Sequence, residues 1–426
     1  MPSLIYDFAI IGAGPVGLYI AKHLDPSLKL IIVEAGGENP SSTNVTFQNP
    51  TSGNTIISPT SAFGLGGGLN LWGGRLVTYQ PRDFKEAQYD YKKLQLDHYY
   101  KEVGQDFNIK KLIPERKITD DLSVEQHYVY NKDDFLNSLK KTVKGRVRIA
   151  KNSKVLKIKK SDKFILSLDN GTEIIAQNVI VACGSLETHR LLYRSNFVSR
   201  HISYGTHPKV TIGEATIPSE FLKVIEGGEG VEKGLVFANV ERDFNMRLYS
   251  QFNLASLDYL LNRSVPKNSF LKFLYENIYF LKFARKIYMY TNQRILGTNR
   301  KYKIRIFFDQ NEDEVIMFDS ERLVVSKEST VAQKLNEITS SIHKILLKNG
   351  FKNLNVYPPD VIEKNIQYVH SHFTGGMAAS CDDYGQMTSV EGLYICSASL
   401  LPYKGYANPT YTLLALAKRL TDFLNK

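Results

Sequence analysis

The chain has 426 residues, which is enough for two or three domains. Hydrophobic residues make up 43% of it and charged residues 23%, and this composition excludes a mainly disordered chain. Its 54 Lys and Arg residues against 43 Asp and Glu residues leave a formal net charge of +11, which favours anionic partners. Because no nucleic-acid-binding motif accompanies that charge, we expect no nucleic acid among the partners.

The cysteines and the N-terminal segment give information about the cellular compartment of the protein. Cys183, Cys381 and Cys396 form no CxxC pair, which indicates a reducing compartment and no metal site. The apolar run at residues 8–11 has no basic leader and continues into a glycine motif, so we interpret it as a strand rather than a signal core. These features predict a cytoplasmic protein without a membrane-spanning segment.

The first predicted element is a βαβ unit. A β-prone run, Tyr6–Ile11, leads directly into the GxGxxG sequence of residues 12–17. A helical pattern follows at Leu18–Leu24, and a second strand, Leu30–Val33, ends at Glu34. A GxGxxG motif between a strand and a helix, with an acidic residue about 20 positions on, is typical of dinucleotide binding. The alternative is a glycine turn in an unrelated α/β fold.

The glycine motif has a physical reason to contact a dinucleotide. Gly12 permits a tight turn, Gly14 lets backbone N–H groups approach a pyrophosphate, and Gly17 lets the helix pack closely on the strand. The N-terminus of the following helix supplies a partial positive charge for the phosphates, and Pro15 and Val16 of the motif are expected at the cofactor.

The acidic residue after the second strand indicates which dinucleotide is expected. The Glu34 carboxylate is expected to accept ribose hydroxyls, with Ala35 beside it, and would repel a 2′-phosphate. NADP is therefore disfavoured, while FAD and NAD both remain open at this point.

A second glycine cluster spans Phe63–Arg75 and fits neither a helical nor a strand period. Its remaining residues are largely apolar, so we interpret it as a buried loop along a cofactor rather than a flexible surface loop. The residues expected at the cofactor are Gly66, Gly67, Asn70, Trp72 and Gly73. A further glycine-rich segment, residues 227–230, has no helical pattern after it, so the chain has one predicted dinucleotide site, which favours FAD.

The middle of the chain is predicted to add strands to the dinucleotide-binding sheet and then to form a separate domain. Residues 147–185 have strand patterns that end in the buried run Val179–Ser185, and a helix is predicted over Glu187–Leu192. Residues 200–365 mix strand and helix patterns and are predicted to form a separate substrate domain. The predicted strands there are Lys303–Phe308, Glu314–Phe318 and Leu323–Ser326, and the predicted helices are Ser269–Tyr290 and Val331–Lys348.

The predicted fold class is α/β, with a Rossmann-like FAD-binding domain and an inserted α+β substrate-binding domain. The FAD-binding domain takes residues 1–85, 126–199 and 370–426, the last with the catalytic residues. Residues 86–125 are a connecting or lid segment, and residues 200–369 are the substrate-binding domain.

The C-terminal segment carries three further motifs. They are HSHFTGGM from His370, GLYICSASLLP from Gly392, and ANPTYT from Ala407, before an apolar helix over Leu413–Leu424. We interpret Asn408 as the N-cap of this helix, with Pro409 at its first position and Thr410 in its first turn. The positive end of the helix dipole would then point at whatever precedes it.

These motifs, in this order, resemble the glucose–methanol–choline (GMC) oxidoreductase family. The matching blocks are residues 5–36, 63–77, 178–193 and 370–424, roughly a third of the chain, and the glycine loop is closest to the pyranose oxidase type. The resemblance implies FAD-dependent oxidation of an alcohol, with His372 of the H-x-x-G-G sequence as base and Asn408 hydrogen-bonded to the same substrate oxygen. His370 is the rival base. Further cofactor contacts are expected at Ala182, Gly184, Ala398, Ser399, Pro409 and Thr410 of these blocks, and at Val155 outside them.

The chain departs from the family pattern at two positions. Ser397 stands where the family usually has Asp, so we expect weaker orientation of the cofactor but not lost binding. Leu71 stands where the pyranose oxidase loop has a histidine bonded covalently to the flavin. Because leucine cannot form that bond, we expect non-covalent FAD.

The substrate and partners are less well specified. We expect a small alcohol, sugar, sugar derivative or polyol and an unspecified electron acceptor. The stretch from Asn277 to Phe308 has eight basic residues and no acidic one, which suggests an anionic or carrier-linked substrate or peripheral membrane contact, or simply a solvated basic edge. The alternative functions are a flavin-dependent sugar mutase and a non-catalytic FAD-binding protein.

Overall fold

The fold is taken from a computed structural model. It describes residues 4–48, 55–71, 74–84, 90–109, 116–129, 132–203, 205–221, 231–237, 244–250, 301–307, 315–319, 322–325, 331–364, 367–402 and 407–426. Among these residues, every helix is too short or too polar to cross a bilayer. The predicted helix Ser269–Tyr290, the glycine-rich segment 227–230 and most of the basic stretch 277–308 lie outside the described residues.

The helices of the described chain are α1 (Pro15–His23), α2 (Leu96–Asp106), α3 (Lys132–Val143), α4 (Ser185–Arg194), α5 (Val331–Lys348), α6 (Pro359–Lys364) and α7 (Thr410–Leu424). Short 3-10 helices occupy Gly67–Leu71, Pro81–Phe84, Ala378–Ser380 and Ala398–Leu400.

The strands in the first half are β1 (Ile5–Ile11), β2 (Leu30–Val33), β3 (Ser41–Gln48), β4 (Thr55–Phe63), β5 (Arg75–Leu76), β6 (Arg116–Lys117), β7 (Leu122–Val129), β8 (Arg148–Ala150), β9 (Val155–Lys160), β10 (Phe164–Leu168) and β11 (Glu173–Val181). Those in the second half are β12 (His201–Ser203), β13 (Gly205–Thr216), β14 (Val231–Phe237), β15 (Phe244–Ser250), β16 (Lys301–Phe307), β17 (Val315–Asp319), β18 (Arg322–Val325), β19 (Lys352–Val356), β20 (Gln367–Thr374) and β21 (Leu393–Ile395).

The first sheet has a parallel centre built from both ends of the chain. Its order is β8-β2-β1-β11-β10-β9, and β21 pairs with β11 beyond the end of β10. The pairs β2–β8, β1–β2, β1–β11 and β11–β21 are parallel, and only β9 and β10 run antiparallel. The carboxyl ends of β1, β2, β11 and β21 therefore meet at one edge, where open α/β sheets bind their ligands.

The parallel sheet is buried by helices, as its apolar sequence requires. All four residues of β2 are buried, and so are the last four residues of β1. Helix α1 packs on β1 and β2 of this sheet, α3 and α7 each pack on α1, and α2 packs against α7. Buried aromatic side chains of three of these helices, Tyr19, Phe135 and Tyr411, fill the space between them.

The βαβ prediction agrees closely with the structure. Strand β2 has the predicted bounds, β1 begins one residue earlier than predicted, and α1 begins at Pro15, three residues earlier than Leu18. The α/β class with a parallel sheet is confirmed.

Two further sheets, of mixed and antiparallel strands, contain the strands of residues 200–365. One has the order β12-β17-β18-β3-β4. The other has the order β19-β13-β16-β15-β14-β7-β5, with β20 on β13 and β6 on β7. The bounds of α5 match the predicted helix, and β16, β17 and β18 fall within two residues of the predicted strands. The division of the chain into domains stays a prediction.

Candidate cofactor-binding site

A cavity lies at the carboxyl edge of the first sheet, where the N-termini of three helices meet. Gly14 and Pro15 before α1, Gly184 and Ser185 at α4, and Pro409 at α7 all line it. A helix N-terminus carries unpaired N–H groups and about half a positive charge, so three of them favour an anionic ligand. The predicted cofactor residues that line the cavity are Gly12, Gly14, Pro15, Val16, Glu34, Ala35, Gly67, Val155, Ala182, Gly184, Ala398, Pro409 and Thr410.

The three glycines of the GxGxxG motif are needed for different reasons. A Cβ on Gly12 would lie 2.7 Å from the Ala182 carbonyl oxygen, and the φ of Gly12 is +107°. A Cβ on Gly17 would collide with the Gly12 carbonyl oxygen. Gly14, in contrast, has an ordinary φ of −72°, and a Cβ there would meet no atom within 4 Å. The protein itself therefore needs glycine at positions 12 and 17, whereas the described part of the chain leaves the space beside Gly14 open.

The Glu34 carboxylate holds three loops together. One oxygen accepts the Ala13 N–H at 2.8 Å, and the other accepts the N–H groups of Gly36 at 2.9 Å and Gly64 at 2.8 Å. The residue is 5% exposed and lines the cavity. Sequence reasoning assigned Glu34 only to ribose hydroxyls. Its three backbone bonds show that it fixes the glycine turn and the second glycine cluster against each other.

The second glycine cluster packs directly on the first. The Gly66 N–H donates to the Ala13 carbonyl at 2.9 Å, and a Cβ on Gly67 would lie 3.1 Å from the Gly14 Cα. Asn70 donates from Nδ2 to the Gly67 carbonyl at 2.9 Å, so its side chain closes this turn. Leu71, the last residue of the 3-10 helix in this cluster, lines the cavity.

A chain of buried hydroxyl groups lies at the end of β21, where Ser397 lines the cavity. The Ser397 and Ser399 hydroxyls are 2.7 Å apart, and Thr188 of α4 donates to Ser397 at 3.1 Å. The uncharged Ser397 is thus well partnered at the position where the family usually has Asp. Cys183 contacts Thr188 at 3.5 Å, and burial raises the pKa of its thiol to about 12, so it is neutral.

Strand β20, which contains His370 and His372, ends beside the cavity wall. Gly375 and Gly376 follow it with φ values of +90° and +100°, conformations that favour glycine. The Gly375 N–H donates to the cavity-lining Ala398 at 3.0 Å, and the Met377 N–H donates to Ser399 at 2.9 Å. The two glycines of H-x-x-G-G therefore turn the chain from β20 onto the cavity-lining segment. The side chains of both histidines lie outside the described residues.

The start of α7 differs from the predicted start by one residue. The first helical hydrogen bond runs from the Leu413 N–H to the Pro409 carbonyl at 2.9 Å, so Pro409, not Asn408, is the cap residue. The prediction of Asn408 as N-cap was wrong because its amide is used elsewhere: Nδ2 donates to the Arg75 carbonyl at 3.3 Å. This bond ties Asn408, two residues before α7, to β5, which begins at the last residue of the second glycine cluster.

Buried hydroxyl groups also hold the first turn of α7. Thr412 Oγ1 and Tyr100 Oη lie 2.7 Å apart, and the Tyr79 N–H donates to both of these oxygens, at 3.3 and 3.1 Å. Tyr411 Oη donates to the Tyr100 carbonyl at 2.8 Å. Tyr100, Tyr411 and Thr412 are at most 2% exposed. Helix α2 therefore fixes where the N-terminus of α7 meets the cavity.

Charged residues that the sequence reasoning missed line the cavity along α4 and β9. Arg190 forms a 2.7 Å ion pair with Glu187, and Arg194 lies at the end of the same helix. Lys154, just before β9, has its ammonium group 5.5 Å from the centre of the Phe63 ring. Lys154 and the two arginines belong to segments distant in sequence. The only sequence signal for Lys154 is its position just before a predicted strand, and the only signal for Arg190 and Arg194 is their four-residue spacing along one helix face.

Several predicted cofactor residues do not line the cavity. Gly17, Gly66, Asn70 and Ser399 pack behind it, and the catalytic candidate Asn408 precedes the lining residue Pro409. Trp72 and Gly73 lie outside the described residues.

Comparison with known proteins identifies the fold. Neither a protein-family model nor a curated protein matches the chain. A solved pyridoxine 4-oxidase from Mesorbium loti matches with a TM-score of 0.60 at 14% identity, over 98% of this chain and 99% of that one. A formate oxidase from Aspergillus oryzae RIB40, solved in a study of FAD modification, matches with a TM-score of 0.60 at 13% identity, over 100% of this chain and 98% of that one. At such low identity, these matches show a shared fold.

Proposed function

We propose that the cavity binds FAD and that the protein is a GMC-type oxidoreductase. The observation that carries the cofactor assignment is the open space beside Gly14, at a helix N-terminus and within a cavity lined by two further helix N-termini. This arrangement fits a dinucleotide pyrophosphate. The names of the matching solved structures support a flavin enzyme, because one of them was studied for FAD modification.

Different residues of the chain would bind different parts of FAD. The N-terminus of α1 would hold the phosphates, and Glu34 would fix the loops on either side and accept ribose hydroxyls with its remaining lone pairs. The N-terminus of α7 would place positive charge near the reacting end. Leucine at position 71 cannot bond covalently to a flavin, so we propose that FAD is bound non-covalently.

The proposed reaction oxidises a CH–OH group to a carbonyl. Bound FAD would supply the acceptor for a hydride. His372 would take the hydroxyl proton as general base, and Asn408 would hydrogen-bond the same oxygen, as the resemblance implies. The turn at Gly375 supports this assignment, because it joins the strand of His372 to a cavity-lining segment.

We also propose a class of substrate. We infer a sugar, a sugar derivative or a polyol, bound by the predicted substrate domain of residues 200–369. The net charge of +11 supports an anionic or carrier-linked form of it, or contact with an anionic membrane surface. The names of the two matched proteins, pyridoxine 4-oxidase and formate oxidase, support an oxidase or dehydrogenase over a mutase or a non-catalytic protein.

Anaerobic flavin reduction tests the chemistry. The wild-type protein is mixed with a panel of sugars, sugar nucleotides and polyols, and loss of flavin absorbance is timed. With the best substrate, His372→Ala should retain FAD and slow reduction by ~10²- to 10⁴-fold, the usual contribution of a general base.

His370→Ala is the matched control, since His370 lies two residues away on the same strand. It should change the rate much less, and Asn408→Ala should have an intermediate effect. If His370→Ala alone slows reduction, the base is His370. If neither histidine matters, the proposed mechanism is wrong.

A further inference from the structure

The N-terminus of α4 has a buried hydroxyl group that the fold leaves unused. Ser185 is the first residue of this ten-residue helix, is 7% exposed and lines the cavity. Its Oγ is buried and has no hydrogen-bond partner in the described part of the chain. The cap residue, Gly184, provides no side-chain cap. A buried hydroxyl without a partner is costly, so its presence beside a cavity points to a ligand.

The other end of α4 provides an internal comparison. Ser195 follows the last helical residue and is equally buried, at 6% exposure. Its hydroxyl donates to the Leu191 carbonyl at 2.7 Å and accepts the Ile158 N–H at 2.9 Å. The fold thus completes the hydrogen bonding of one serine and leaves that of the other open to the cavity.

The position of Ser185 indicates which part of a dinucleotide it would meet. It follows β11, whose end packs on the glycine turn: a Cβ on Gly12 would lie 2.7 Å from the Ala182 carbonyl oxygen. The N-terminus of α4 therefore lies beside the N-terminus of α1. A Cβ on Gly184 would meet no atom within 4 Å, so the approach to Ser185 is open.

We propose that Ser185 Oγ and the first N–H groups of α4 form a second polar subsite, which binds oxygen atoms of the ADP half of FAD. This inference rests on the proposed function. The hydroxyl would donate and the helix N-terminus would add positive charge, so the subsite suits a phosphate or ribose oxygen. Glu187 in the same turn is paired with Arg190 at 2.7 Å, which limits its repulsion of an anion.

The test compares Ser185→Ala with Ser195→Ala. For each apoprotein, FAD affinity is measured by quenching of FAD fluorescence, ADP affinity by competition with FAD, and stability by urea unfolding. Ser185→Ala should weaken both FAD and ADP binding. The expected loss of affinity is roughly 3- to 10-fold if the hydroxyl donates to a neutral ribose oxygen, and more if it donates to a charged phosphate oxygen. Its apoprotein should be at least as stable as the wild type, because an unpaired hydroxyl is removed. Ser195→Ala should lower stability and leave both affinities unchanged.

The outcomes separate this inference from the proposed function. If the wild type binds FAD, and Ser185→Ala binds FAD and ADP as tightly as the wild type does, the proposed subsite is wrong and the FAD assignment stands. Weaker FAD binding with unchanged ADP binding would also overturn it, because the contact would then lie on the flavin half. Failure of the wild type to bind FAD would overturn the proposed function and, with it, this subsite.

Discussion

Gly14 is the residue at which the fold and the ligand make different demands. Its neighbours Gly12 and Gly17 are fixed by close contacts within the protein, whereas Gly14 has an ordinary φ and open space around its Cα. The apoprotein would therefore tolerate a side chain at this position, whereas the pyrophosphate of the proposed FAD would exclude it.

Gly14→Ala should give a folded protein that lacks flavin. The cost to the apoprotein should be about 1 kcal/mol or less, since glycine is only a moderately better cap than alanine. Absorbance near the flavin band and urea unfolding of the apoprotein measure the two effects. Gly17→Ala is the control, and it should lower apoprotein stability strongly because of the contact with Gly12. Full flavin content in Gly14→Ala would place the phosphates elsewhere.

His189 gives the stability a pH dependence. The side chain is 2% exposed, and burial lowers its pKa from 6.5 to about 4, against a hydrogen bond with the Ser199 carbonyl at 3.0 Å. Between these values the unfolded chain binds a proton that the folded protein does not. The free energy of unfolding should therefore fall from pH 6.5 to pH 4, by about 3 kcal/mol.

Urea unfolding at several pH values checks the role of His189. The contribution is fully present above pH 6.5 and is lost toward pH 4. His189→Gln should reduce the pH slope in this window, even if it also changes stability at neutral pH. An equal slope in the variant would contradict the buried, neutral state of His189.

At the scale of elements, helix α2 fixes the start of α7. Tyr100 of α2, Thr412 of α7 and the backbone of Tyr79 share four buried hydrogen bonds. Because Pro409 and Thr410 line the cavity, movement of this turn would change the site without removing any residue that contacts a ligand.

Tyr100→Phe should lower the free energy of unfolding by about 1 kcal/mol or more, because buried polar groups lose a partner while the ring is retained. It should also weaken FAD binding, which fluorescence quenching measures. Tyr99→Phe is the control, since the neighbouring Tyr99 is only half-buried. Equal stability and affinity in the two variants would show that this network does not position α7.

The predictability of an element from sequence depends on whether its causes are local. The bounds of β2 and α5 were predicted because apolar spacing determines them. The N-cap of α7 was predicted wrongly, because the Asn408 side-chain amide donates to the backbone carbonyl of Arg75, a residue far away in sequence. Similarly, nothing local indicates that Glu34 accepts three backbone N–H groups from separate loops.

At the scale of the whole molecule, the cavity is assembled from segments near both ends and the middle of the chain. Motifs predicted most of its backbone-lined wall, since a glycine turn or a helix start has a recognisable sequence. They did not predict the side chains of Lys154, Ser185 and Arg190, which come together only when α4 packs against β9 of the first sheet.

The cofactor content of the purified protein tests the central claim most directly. The protein should be yellow, and mild denaturation should release about one FAD per chain into the supernatant, because we propose that one FAD occupies the cavity beside the GxGxxG motif and that Leu71 leaves no covalent link. A colourless protein that takes up no added FAD would contradict the account, and flavin that precipitates with the polypeptide would contradict its non-covalent form.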